Sequence, residues 1–524
     1  MKWLATSFAV ALVCFGAVAS LHAALRHESF DQPPATWEGV NNRNSHFPKR
    51  TVTQDFGHSP DTHHIGDQPG EIGGRLQPAG EPAWYGWPLP SPLTLDHTLH
   101  AEGRLLVAPG GGNFLIGFFN TNTVNEWRTP NALAIRINGR GDTFHCHFEY
   151  ATRLWRAGAG VIGTIVPGER ITARDLPSGQ VYKWVLHYDP EGAGGRGNIA
   201  LTLKQEVSRG GAEAPSPDRL KAEQQTPVPL VVPPSGGSSS PNNNSTAHCE
   251  LDPGHRQEGA TFTHFGLLPV PKTWDDAGEV WIDDLTVNGM SFDVTNDPQW
   301  DALGNRRTYT TTDTRPRFDF GWSPTGHAGG NKSGEMGGLV FRGDCREPQR
   351  MACYGDRLET LTLRQKLVAR GKVAMLRGVT DSTASIGFYH ATHSMESNPS
   401  QNQSVPRDYL GINIEGPSSE GFLFYPVYRP HAGDAQVWNR NAGTPLRIHP
   451  DGSVHDWSLE YDPNGAGGRG RITVGLDDKT ITLDLEPGHP EDAATFNRFG
   501  LCTPWIDGNS VTVYFDDLSY TASP

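Results

Sequence analysis

The sequence predicts an all-β protein built as two tandem homologous β-sandwich domains produced by an internal duplication. Three observations predict it. Segments recur in collinear order at separations of roughly 230 to 270 residues, apolar side chains alternate with period two, and the composition is rich in turn formers and aromatics, with 61 Gly, 41 Pro and 14 Trp. No segment keeps the 3-to-4-residue apolar spacing of a helix for several turns.

The repeats come first because they fix the architecture before any one residue is interpreted. Asp55-Phe56-Gly57-His58-Ser59-Pro60 returns as Asp319-Phe320-Gly321-Trp322-Ser323-Pro324. Gly70-Glu71-Ile72-Gly73-Gly74 returns as Gly334-Glu335-Met336-Gly337-Gly338, which sets His63 opposite His327. Trp184-Val185-Leu186-His187-Tyr188-Asp189-Pro190 with its glycine-rich sequel answers Trp457-Ser458-Leu459-Glu460-Tyr461-Asp462-Pro463. Val280-Trp281-Ile282-Asp283-Asp284-Leu285 answers Val513-Tyr514-Phe515-Asp516-Asp517-Leu518. Copy one is expected over 28–290 and copy two over 297–522. Copy one also carries about forty extra residues near 204–247, whose Pro, Ser, Gly and Asn content predicts a flexible insertion between two strands.

Within each copy the alternation reads as strands. Leu133, Ile135 and Ile137 face one way and Arg136 and Asn138 the other; Leu410, Ile412 and Ile414 repeat this against Asn413 and Glu415. Short strands with Gly and Pro turns mean sandwiches.

The chain opens with Met1, Lys2 and Trp3 and an uncharged run from Leu4 to Ala19, with Ala17-x-Ala19 as a small-residue cleavage site. This predicts a signal peptide over 1–23 and a secreted or periplasmic protein. No other run approaches the ~18 apolar residues of a membrane span. The net charge of -14 repels a phosphate backbone, so no nucleic-acid partner is expected. Cys345 and Cys353 bracket a short loop and form the natural disulfide pair in an oxidising compartment; Cys146, Cys249 and Cys502 stay unassigned.

The Trp-x-Leu-x-Tyr-Asp-Pro strands with their glycine turns (184–197 and 457–470), together with the strands Val280 to Leu285 and Val513 to Leu518, resemble the concanavalin A-like lectin/glucanase superfamily of jelly rolls. The resemblance covers nearly all of both copies. It implies two curved sheets with a concave, carbohydrate-facing groove and a polysaccharide or glycoconjugate as partner. Members include lectins, binding modules, hydrolases and lyases, so fold alone does not settle activity. The final strand also resembles those in which one aspartate helps hold a structural calcium, which singles out Asp283 and Asp516; hydrogen bonding to neighbouring loops is the alternative.

The candidate site lies in Phe144-His145-Cys146-His147-Phe148-Glu149-Tyr150, where His145, His147 and Glu149 share one face. Side chains two apart on a strand are about 6.5 to 7 Å apart, within reach of one sugar ring. Arg136 and Asn138 extend the polar face if their strand is adjacent. Arg136 with His or Asn donors suits a uronate carboxylate, while His145, His147 or Tyr150 removes the proton beside it, which is lyase chemistry. A glycoside hydrolase needs a second carboxylate for Glu149, with Glu71 or Asp142 as candidates. Trp127, Arg128 and Trp155 are candidate sugar contacts. The aligned strand of copy two offers Leu423, Tyr425 and Val427 instead, so only copy one is expected to carry this chemistry. Glu71 and Glu335 sit in matching glycine settings that favour a structural carboxylate capping backbone N–H groups. A solvated outer sheet face, or a surface adhesion protein without a sugar site, remains the alternative reading.

Overall fold

The computed structural model describes residues 24–43, 49–124, 128–164, 172–206, 244–271, 276–312, 316–344, 346–396, 405–416, 419, 421–506 and 508–524. The described chain forms two antiparallel β-sandwiches.

In the first, sheet A1 runs in hydrogen-bonded order through Asn244–Glu250, Asn198–Gln205, Val181–Asp189, Leu99–Val107, Gly278–Val287, Glu71–Leu76, Lys49–Ser59 and Arg306–Thr312. Sheet B1 runs through Ala157–Val161, Thr143–Ala151, Ala132–Arg140, Asn113–Phe119, Thr261–Pro269, Trp84–Thr94 and Asp301–Leu303. In the second, sheet A2 contains Asp319–Ser323, Glu335–Phe341, Ser510–Thr521, Leu367–Gly378, Val454–Asp462, Arg471–Leu476 and Lys479–Asp484. Sheet B2 contains Trp37–Val40, Cys353–Thr362, Thr495–Cys502, Thr383–Tyr389, Tyr409–Glu415, Phe422–Arg429 and Gln436–Val437. Period-two alternation puts Trp184, Leu186 and Tyr188 of A1 against Leu133, Ile135 and Ile137 of B1 in one core; Trp457, Leu459 and Tyr461 meet Leu410, Ile412 and Ile414 in the other.

The halves share local detail. The glycine turns at 192–195 and 465–468 place Ala193 and Ala466 in left-handed backbone at φ 54° and 53°. Both final strands carry a left-handed aspartate, Asp284 and Asp517, each at φ 49°. The hairpin of Arg471–Leu476 and Lys479–Asp484 turns through Asp477 and Asp478, whereas its counterpart pairs Asn198–Gln205 with Asn244–Glu250 around the long insertion. The insertion itself, from 207 to 243, falls outside the described residues.

Strand pairing departs from a simple sequential division at 28–290 and 297–522. Leu25–Glu28 pairs with Ser510–Thr521, and Trp37–Val40 with Cys353–Thr362, so the first described strands complete the second sandwich. Asp301–Leu303 and Arg306–Thr312 return to Trp84–Thr94 and Lys49–Ser59 of the first. Three of these strands pair with strands that would otherwise be sheet edges, and Leu25–Glu28 pairs with the end of Ser510–Thr521 that Glu335–Phe341 does not reach, a long-range constraint that local alternation does not encode.

His255 joins the two halves. Its Nε2 lies 2.9 Å from the carbonyl of Ser419, which only accepts, so Nε2 carries the proton and Nδ1 accepts from the Tyr150 hydroxyl at 2.9 Å. Burial lowers the pKa of His255 below its ordinary 6.5. The unfolded chain therefore binds a proton that the folded one refuses: the stability His255 contributes is complete above about pH 6.5 and declines as the pH falls below it. The stability difference between the wild type and His255→Gln, from urea midpoints, is expected to shrink from about pH 7 to about pH 5. A constant difference overturns this.

Candidate functional site

Adjacent strands of B1 assemble the polar row. Register pairs Arg136 with His147, Asn138 with His145 and Ala134 with Glu149, while Asn113 of the next strand pairs with Asn138. Arg136, Asn138, His145, His147 and Glu149 thus share the face turned away from the core, as alternation requires. Tyr150 corrects the expectation. Being one residue past Glu149 it points the other way, into the core, where it is 1% exposed and bonded to His255. Burial raises its pKa further, so it is no base for this row.

The row is neither a solvated face nor an open trough. Arg136 Nη1 and Glu149 Oε2 form an ion pair at 2.8 Å, with the side chains 2% and 3% exposed. His147 Nε2 stands 3.9 Å from the same carboxylate oxygen, and His145 Nδ1 lies 2.9 Å from the exposed Asp175. Arg128, between Asn113–Phe119 and Ala132–Arg140, adds a second guanidinium near enough to feel the charges of Glu149 and Arg136; burial and then Arg136 lower its pKa, against the attraction of Glu149 and of Asp381 from the second half. Asn113 Oδ1 and Nδ2 and Asn138 Oδ1 are buried without protein partners. On the same face Trp84, Leu115, Phe119, Ala132, Ala134, Leu268 and Val270 form an apolar cluster outside the main core. The cover is closed over Arg136 and Glu149 and thinner over His145 and His147, which are partly exposed.

The other candidates disperse. Trp127 lies outside the described residues. Trp155 sits in a turn with left-handed backbone at φ 62°, its Nε1 buried. Of the carboxylates considered for Glu149, Glu71 belongs to sheet A1 across the core and Asp142 is exposed in a turn. Glu71 is fully buried and accepts from the Ile65 N–H at 2.6 Å and His64 Nδ1 at 2.9 Å; Glu335 accepts from the His327 and Ala328 N–H groups at 2.9 and 2.7 Å. In sequence position His327 matches His63, but in space its role falls to His64, which stacks on Trp281 as His327 lies tilted against Tyr514, the two loops being equal in length and differing in local backbone path. Asp283 caps the Asp284 N–H, and Asp516 that of Asp517, both at 2.7 Å. Cys353 and Cys502 are free, buried and register partners, while Cys345 lies outside the described residues.

Copy two is more polar on the matching face than its strand sequence suggests. Arg342 binds Glu415 at 2.6 Å and Thr383 at 2.9 Å, and the Tyr425 hydroxyl donates to Glu415. Arg342 is not legible from the B2 strands because it arrives from beyond the end of Glu335–Phe341, in the other sheet; Glu415, at the end of its strand's alternation, is the only local signal.

No family model and no characterised protein sequence matches the chain. Among solved structures, the Emp47p carbohydrate recognition domain is similar at 10% identity over 40% of this chain and 92% of that one, with a TM-score of 0.25. The alginate lyase Aly36B is similar at 11% identity over 36% and 80%, TM-score 0.22. Domains LG4-5 of the mouse laminin alpha1 chain are similar at 11% identity over 86% and 94%, TM-score 0.16. At these scores the fold assignment rests on the strand pairing itself.

Removing one partner of a buried ion pair strands the other charge. Arg136→Ala is expected to destabilise the protein by roughly 3–5 kcal/mol, whereas Arg136→Met with Glu149→Leu recovers most of that loss. Chemical denaturation of the two variants checks it; equal destabilisation would show that the pair is not the cause.

Proposed function

We propose that the protein is exported and binds an acidic, uronate-containing polysaccharide at the polar row of the first sandwich. The charge balance of that row carries the reading. Arg136 is paired to the single buried carboxylate Glu149, Arg128 adds a second guanidinium within reach of its charge, and Asn113 and Asn138 add amide atoms without protein partners. A second carboxylate, delivered by the ligand past His145 and His147, would offset the burial of Arg128 and occupy those amides.

Elimination is the cleavage chemistry whose parts this row contains. Guanidinium and amide donors neutralise a uronate carboxylate, and His145 or His147 takes the proton from the adjacent carbon. Hydrolysis is poorly served, because Glu149 is tied to Arg136 and neither Glu71 nor Asp142 stands beside it.

Electrophoresis in gels containing polygalacturonate or alginate is expected to retard the protein, and neutral glucan gels are not. Arg128→Ala and His147→Ala should each weaken the retardation about tenfold or more, the worth of a charge-assisted hydrogen bond. Retardation by no acidic polymer, or unchanged retardation in both variants, overturns the assignment. An ultraviolet-absorbing unsaturated product on incubation identifies a lyase.

We also propose a cation at Asp516. Its Oδ2 is buried without a partner, and burial together with the carboxylates of Asp517, Glu335 and Asp31 pushes its pKa up to about 7. Without a cation, the stability of protonated Asp516 is complete below the ordinary carboxyl value and lost as the pH rises through about 7. A calcium ion would reverse that loss by placing positive charge beside the Asp516 carboxylate. Millimolar Ca²⁺ at pH 8 is expected to raise the melting temperature of the wild type and not of Asp516→Asn; no shift in the wild type sinks it.

A further inference from the structure

Three neighbouring strands of sheet B2 end together. Thr383–Tyr389, Tyr409–Glu415 and Phe422–Arg429 pair in register as far as Tyr389 with Tyr409 and Tyr409 with Arg429, so the residues just beyond those pairs meet at one rim. His393 stands there in the short turn His393–Met395, Asp408 immediately precedes its strand, and His431 follows the third. His393 Nδ1 is 2.5 Å and His431 Nδ1 2.9 Å from Asp408 Oδ2, and the three atoms all lie within 4.8 Å of one another.

Hydrogen bonding alone explains this arrangement poorly. Asp408 is fully buried, yet both imidazoles converge on Oδ2 while Oδ1, equally shielded, has no partner. Two N–H donors free to choose would satisfy both oxygens. Convergence of three donor atoms on one point is the demand of a cation. His393 and His431 are 31% and 40% exposed, which leaves the outer side of that point open to solvent. The neighbouring His390 ring stacks on His393 at 3.9 Å, and its Nδ1 accepts the N–H groups of Thr392 and His393, so its proton sits on Nε2 and it buttresses rather than ligates.

The left-handed backbone at Asp408 is no part of the case, because the matching Asn131 of the first half shares it, at φ 55° against 49°. The donors are what differ. By register Asn131 and Arg153 occupy the places of Asp408 and His431, and the Asn131 side chain is spent on the Thr261 N–H at 2.9 Å.

We propose that His393, Asp408 and His431 bind a divalent first-row transition cation of the zinc class, with solvent or an exogenous ligand completing its coordination. Two imidazoles and one carboxylate select such an ion over calcium or magnesium, which require oxygen shells. Three protein ligands with an open position are the arrangement of a reactive rather than a closed structural zinc site.

The test uses the full-length protein without a histidine tag, stripped with chelator and titrated with Zn²⁺ against a chromophoric competitor, with Co²⁺ as a spectroscopic probe. The wild type is expected to bind one equivalent and to give visible Co²⁺ bands of a nitrogen- and oxygen-ligated ion. His393→Gln and His431→Gln, at partly exposed rings, keep the far-ultraviolet dichroism of the wild type and bind at least a hundredfold more weakly; Asp408→Asn loses binding as well. No Zn²⁺ uptake by the wild type overturns the proposal. So does undiminished uptake by the two histidine variants, since the chain holds 21 histidines and others would then be responsible.

Discussion

Antiparallel register between Ala132–Arg140 and Thr143–Ala151 is the constraint on which the first sandwich depends. It sets Ile135 against Phe148 on the core face and Arg136 against His147 on the other. A slip of one residue would push Arg136 and Glu149 into the core and expel the apolar set. The outer face also carries the apolar side chains of Trp84, Leu115, Phe119 and Leu268, and Arg136 and Glu149 beside them are almost fully withdrawn from water, so those two charges must be satisfied internally. The Arg136–Glu149 pair is the result.

Exchanged strands and one histidine bridge tie the two halves together at their borders. The first described strands complete the second sandwich, the strands after 300 complete the first, and His255 bridges from Tyr150 to Ser419. Each link closes an edge or a polar group that would otherwise be left open. The first half cannot be cut out along the sequence without unpairing two strands of each sandwich.

The halves have diverged where the fold leaves freedom. Both retain the glycine turns, the left-handed aspartates and the buried glutamates that hold the loop before Glu71 or Glu335. They differ on the outer face of the B sheets and along its rim. The first half concentrates arginine, histidine and asparagine on the face; the second gathers His393, Asp408 and His431 at the strand ends.

Strand alternation, the repeats and the glycine turns were legible from the chain alone, because local sequence dictates which side of a pleat each residue takes and which turns demand glycine. The shared face of His145, His147 and Glu149 follows from the same rule, which equally sends Tyr150, one residue on, into the core. Tertiary structure decided everything that depends on what lies opposite: that Arg136 and Glu149 pair away from water, that the charge of Arg128 is near them, that Arg342 reaches Glu415, and that His393, Asp408 and His431 meet. Those residues are brought together by strand order across the sheet, and strand order is fixed by the packing of whole layers rather than by the spacing of any neighbours along the chain.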